Sequence, residues 1–216
     1  MTIDPVATAG LVTREVRSGS RDGAETKIAI ARRTYSTDQA DLWDALTNAD
    51  RIPRWFLPVS GNLEPGGRYQ IEGNAGGVIE RCDEPESFAV TWEYGQMMSW
   101  LEVTLTPTGD GTTMELAHEA HVEPDLCGQF GPGAVGVGWD LALIGPGQHI
   151  ETGAPVDPVE GAAFATSPEG AELVRRAAAD WADAAVGDGD EPDAANEAAK
   201  RTVAFYTTPP DDGSGS

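Results

Sequence analysis

The side chains best suited to acid–base, nucleophilic or metal chemistry in this 216-residue chain are three histidines, His118, His121 and His149, and two cysteines, Cys82 and Cys127. His118 lies in the alternating run GTTMELAHEAH, where it shares a strand face with Met114 and Leu116. An imidazole buried there can orient a polar ligand group or act as a general base. The plainer alternative is a core histidine bonded to a backbone carbonyl. His118 and His121 stand three apart on a strand and so face opposite sides, which speaks against a three-histidine metal site and leaves no metal expected. Neither cysteine has a CxxC partner or a nearby base in sequence, so both read as buried thiols. Gly131-Pro132-Gly133-Ala134-Val135-Gly136 spells GxGxxG, but the preceding DLCGQF supplies no hydrophobic strand. A dinucleotide-binding turn needs that strand, so the segment reads as a loop feeding a helix and no cofactor is expected. No nucleophile elbow, phosphate loop, HExxH or paired-carboxylate arrangement occurs.

The elements that must position His118 are short β-type runs broken by Gly, Pro and Asn between Trp55 and Gly95, continued by a hairpin. Strands are expected over 59–63, 68–72, 77–82, 88–94, 99–107 and 112–121, preceded by a first strand at 27–35. Asp110-Gly111 is the turn of the last hairpin. Phe88, Val90, Trp92 and Tyr94 share one face of their strand, and Leu101, Val103 and Leu105 share one of theirs. Between Val78 and Cys82 the alternation is ambiguous, because Ile79 and Arg81 compete with Val78, Glu80 and Cys82 for the inner face. Glu80, Arg81 and Glu93 read as outer-face charges rather than polar groups of a site. Ser36, three residues before Gln39, has capping-box spacing for a helix that carries Leu42, Trp43 and Leu46. A second short helix holds Ile52, Trp55 and Phe56, limited by Pro53. Val135, Trp139, Ala142 and Leu143 give a helical stripe suited to cover the sheet, and Pro146-Gly147 is expected to bend or end that helix.

Composition narrows the function. The net charge of −22 argues against binding nucleic acid or anionic membrane through a basic face. The chain also lacks an apolar stretch long enough to span a bilayer and a signal-peptide pattern. With few cysteines, a cytoplasmic setting is expected. Residues 1–26 are polar and without period, and read as a flexible leader. From residue 151 the composition turns to Ala, Asp, Glu and Pro, with 14 acidic against 4 basic residues, a local net of −10. Ser167-Pro168 is a good N-cap and first-turn pair, and Leu173, Ala177, Trp181 and Ala184 recur at helical spacing. A further helix is expected over 192–206. Residues 209–216 read as a disordered tail.

DLWDALTNADRIPRWF (41–56), the turn Gly66-Gly67-Arg68-Tyr69, the triplet Thr91-Trp92-Glu93 and the strand GTTMELAH (111–118) together resemble the SRPBCC group of the START/Bet v 1 superfamily. Within it, they resemble the branch named after the activator of Hsp90 ATPase. The likeness covers about residues 27–150, and the acidic extension (151–208) resembles one associated with some bacterial members. It implies an α+β helix-grip fold, a curved antiparallel sheet of about seven strands gripping a C-terminal helix, with appended helices. It also implies an apolar cavity between sheet and helix. Candidate lining residues are Phe56, Tyr69, Ile71, Val90, Trp92, Tyr94, Leu101, Val103, Met114, Leu116, His118 and Trp139; alternatively, these side chains simply fill a core. Three functions follow from the resemblance. The first is binding of a small hydrophobic or amphipathic molecule, with His118 holding a polar end. The second is a cyclase, dehydratase or hydrolase-like activity on a polyketide-type ligand, with His118 as proton shuttle. The third is a protein-interaction or chaperone-linked role, including a homodimer, carried by the domain or its tail.

Overall fold

Inward apolar and outward polar side chains alternate through most of eight antiparallel strands, which pair into one sheet. The computed structural model describes residues 4–122 and 129–209. Strands β1 (Val12–Arg21), β2 (Ala24–Tyr35), β3 (Val59–Gly61), β4 (Arg68–Ile71), β5 (Gly76–Asp83), β6 (Ser87–Tyr94), β7 (Met97–Thr108) and β8 (Gly111–His121) pair in the order β1-β2-β8-β7-β6-β5-β4-β3. The sheet is curved and unclosed, and the fold is the α+β helix-grip arrangement. Helix α1 (Pro5–Gly10) precedes it, and α2 (Gln39–Thr47) and a 3-10 turn (Ile52–Arg54) cross one end. Helices α3 (Gly133–Ala142), α4 (Ile144–Thr152), α5 (Pro158–Phe164), α6 (Pro168–Gly187) and α7 (Pro192–Thr207) follow. No helix among the described residues is long and apolar enough to cross a membrane.

The stretch expected as a free leader contains α1 and an edge strand. The hairpin β1–β2 turns through Asp22 and Gly23, both at positive φ (53° and 82°), in the two-residue loop such a pair favours. Val12 and Val16 are buried on its inner face, while Arg14 between them interrupts the apolar pattern. Helix α2 is capped by Asp38, which accepts from the Asp41 amide at 2.8 Å, instead of by the Ser36–Gln39 pair. The covering helix breaks at Leu143, not at Pro146-Gly147. Pro146 stands in the first turn of α4, where its absent N–H removes no intrahelical bond. The Leu143 carbonyl is instead taken by Arg33 Nη1 (2.7 Å) and Tyr35 Oη (3.3 Å) from the sheet.

Helix α6 begins as its sequence indicates, with Ser167 Oγ accepting from the Gly170 amide at 3.0 Å. Its buried stripe is Leu173, Val174, Ala177, Ala178, Trp181, Ala182 and Ala185, one position on from the expected Ala184, which is half-buried. That stripe lies on the outer side of α3. Gly136, inside the GxGxxG segment, lets the Trp181 ring touch the helix backbone where any Cβ would collide with it. Trp181 Nε1 donates to Asp140 Oδ2 at 2.7 Å, and Arg14 from β1 donates to the same carboxylate through Nε (3.1 Å) and Nη2 (2.7 Å). Arg14 and Asp140 side chains are 4% and 2% exposed. Of the expected tail at 209–216, all but Pro209 lies outside the described residues, as does Cys127.

Burial pushes the Asp140 carboxyl upward, against the pull of Arg14 and the Trp181 indole. The desolvation cost of such a pair offsets much of its attraction, so its value is to fix how β1, α3 and α6 dock. Removing one partner is a different matter, because the other charge stays buried. Asp140→Ala should destabilise the fold by about 3–5 kcal/mol in urea denaturation. Asp180→Ala, which removes the 51% exposed second partner of Arg14, should cost less than about 1 kcal/mol.

Candidate functional site

The inner face of the sheet, α2 with its following 3-10 turn, and the lid formed by α3 and the start of α4 line a cavity of about 190 Å³ that is partly open to solvent. Of the twelve candidate lining residues, ten border it: Phe56, Tyr69, Ile71, Val90, Trp92, Leu101, Val103, Met114, Leu116 and Trp139. Tyr94 and His118 do not. Tyr94 has the inward parity of Trp92, but it ends β6 beside the Gly95 turn and is 53% exposed. His118 is buried at 6% exposure behind the wall, with Trp139 and Trp92 packed against it at ring-centroid distances of 5.8 and 6.3 Å.

The wall also contains Leu46, Thr47, Ile52, Trp55, Val59, Leu63, Ile79, Cys82, Phe88, Ala142, Leu143 and Pro146. Phe88 shares the face of Val90 and was within reach of the alternation rule. Ile79 and Cys82 were not, because a β-bulge intervenes: Ile79 pairs with Val90 and Arg81 with Ala89, so β5 holds one extra residue at Glu80. That insertion brings an odd and an even position to the same face and resolves the ambiguity of the 78–82 run. Cys82 is an exposed free thiol at the rim. Burial pushes its pKa up, and the nearby Glu84 and Asp83 add to the shift. Glu80 is exposed, Arg81 pairs with Asp83 and Glu102, and Glu93 pairs with Arg68 at 2.6 Å; none of them borders the cavity.

His118 is held in one tautomer. The indole Nε1 of Trp139 has only a proton to give, and it donates to His118 Nδ1 at 2.9 Å. Nδ1 is therefore bare and Nε2 carries the hydrogen, donating to Ser99 Oγ at 2.7 Å. Ser99 passes its own proton to the Trp92 carbonyl at 3.1 Å. This chain latches the lid to β8, β7 and β6 and leaves neither ring nitrogen free for a ligand. Trp92 and Trp139 meet edge to face at 5.1 Å, and Trp55 stacks on Phe56 at 5.5 Å.

The remaining histidines lie elsewhere. His121 packs its ring against Trp100 on the outer face, and His149 in α4 accepts from Arg51 Nε at 3.3 Å while its Nδ1 meets the Ala154 carbonyl. No group of three or more potential metal ligands assembles among the described residues.

The family model for activator of Hsp90 ATPase homolog 1-like protein matches residues 36–143, from the start of α2 to the end of α3. The chain belongs to this family. The solution structure of CalU16 from Micromonospora echinospora aligns with it at 32% identity and a TM-score of 0.69, over 82% of this chain and 97% of that one. The crystal structure of CalU16 aligns at 31% identity and 0.64, over 80% and 97%. EF2215 from Enterococcus faecalis, at 15% identity and a TM-score of 0.58 over 86% and 96%, shares the fold alone. No curated protein matches the chain. The homolog 1-like stretch supplies most of the cavity wall and the latch, whereas Arg14 and Trp181, which hold the outer side of the lid, lie outside it.

Burial lowers the His118 pKa from 6.5 to about 4. The unfolded state therefore binds the extra proton first, and the contribution of neutral His118, present above pH 6.5, is lost as the pH falls toward 4. The expected loss is about 3 kcal/mol. The difference in unfolding free energy between the wild type and His118→Asn, which keeps an acceptor for Trp139, should shrink over that window in urea titrations. A difference independent of pH would contradict the assignment.

Proposed function

We propose that this protein binds a small apolar molecule in the cavity between sheet and lid. The observation that carries the reading is the partly open space itself, about 190 Å³ walled by aliphatic and aromatic side chains. Apolar cavities of roughly 150 Å³ stay dry and take up ring-sized hydrocarbons. Placing an apolar molecule against this wall removes apolar surface of both from water, so an occupant has both space and a driving force. The aromatic edges of Trp92, Trp139, Trp55 and Phe88 suit flat rings.

The state of His118 favours a binder over a cyclase or dehydratase. Its nitrogens are engaged by Trp139 and Ser99, it stands behind the wall, and its low basicity makes it a poor proton acceptor near neutral pH. The expected role of His118 in holding a polar end of the ligand does not fit this placement; Trp139, which it orients, is the side chain that meets the ligand.

Val103 lies in the wall at 3% exposure, so a larger side chain there must enter the cavity. Val103→Phe should lower the unfolding free energy by no more than about 3 kcal/mol and leave the chain folded. The same variant should lower affinity for an apolar fluorophore at least tenfold by fluorescence titration. Unchanged affinity in a folded variant would place the binding elsewhere.

A further inference from the structure

We propose that the cavity selects uncharged molecules and rejects the carboxylates of the same carbon skeleton. The proposal rests on the reading of the cavity as a binding site and specifies the chemistry of its ligand. No Asp, Glu, Lys, Arg or His side chain borders the space among the described residues. The polar atoms that do reach the wall are directed away from it. Tyr69 Oη donates to the Thr91 carbonyl at 2.8 Å, Trp55 Nε1 to the Ala45 carbonyl at 2.7 Å and Thr47 Oγ1 to the Trp43 carbonyl at 2.8 Å. Trp139 Nε1 is committed to His118. A carboxylate inside would lose its water and find no donor, whereas an ether, ester or lone hydroxyl carries a far smaller desolvation cost.

A buried cation stands beside the wall with one of its donors, Arg33 Nε, unpaired. Arg33 is paired in register with Met114 of the wall, yet its Nη1 donates to the Leu143 carbonyl and its guanidinium lies over the Tyr35 ring at 4.9 Å. It serves the break between α3 and α4 and is not among the residues that border the cavity. The interior thus discriminates against anions by desolvation.

Three ligands of one skeleton test this with the full chain at pH 7.5 by isothermal titration calorimetry: 2-naphthylmethanol, methyl 2-naphthoate and 2-naphthoate. The expected result is comparable binding of the alcohol and the ester, with the carboxylate at least about tenfold weaker. Equal affinity for ester and carboxylate would overturn the selectivity while leaving the cavity a binding site. Tighter binding of the carboxylate would overturn it too and would bring Arg33 into contact with the ligand. Binding of none of the three, to wild type and Val103→Phe alike, would remove the binding-site reading and the selectivity with it.

Discussion

The structure depends on how one ten-residue helix is held. Helix α3 carries Trp139 on the side facing the sheet and Asp140 on the side facing the extension, adjacent residues that serve opposite purposes. Trp139 donates to a buried neutral histidine, and Asp140 accepts from a buried arginine and a buried tryptophan. Each bond is made by a group that would be costly to leave unpaired away from water. The lid therefore has little freedom to sink into the space below it, and the cavity persists because its roof is fixed from both sides. A hydrophobic interior normally closes on itself to near-crystalline packing. Here the polar bonds of the lid oppose that collapse.

The acidic extension is best understood in the same terms. Its negative charge invites a reading as a solvated tail, yet α6 buries an Ala-rich stripe with Trp181 in it against β1, α3 and α7. Its C-terminal end is pinned to the β1–β2 hairpin by Asp188, which accepts from Ser18 and Lys27. Helix α7 reaches back to the lid, where Tyr206 Oη donates to the Ala134 carbonyl at 2.8 Å. The similarity to CalU16 over 82% of the chain also extends well past the stretch matched by the family model. Extension and edge strand together form the outer support of the lid.

Where neighbours in sequence decide the structure, the sequence was legible. The meander strands, the Asp110-Gly111 hairpin and the Ser167 cap follow from alternation and turn chemistry, and the inward strand positions of the wall from the same alternation. The rest depended on distant partners. β1 was obscured because an inner position is occupied by Arg14, whose partner Asp140 stands 126 residues away. The bulge at Glu80 leaves no mark in a pattern that either parity can explain. The inward parity of His118 was correct, but parity cannot show that Trp139 would arrive between it and the cavity. Tyr94 shares the parity of Trp92 and lies beyond the reach of the lid.

The claim that the extension holds the lid, and the lid the cavity, can be tested by native-state hydrogen exchange on Trp181→Phe, which keeps an aromatic ring and removes the indole donor to Asp140. Amides of α3, especially Gly136 to Ala142, should lose protection by about tenfold for each 1.4 kcal/mol of lost bonding. The central strands β7 and β8 should keep theirs. Unchanged protection in α3, or an equal loss throughout the sheet, would show that the lid stands without its outer clamp and would contradict the account.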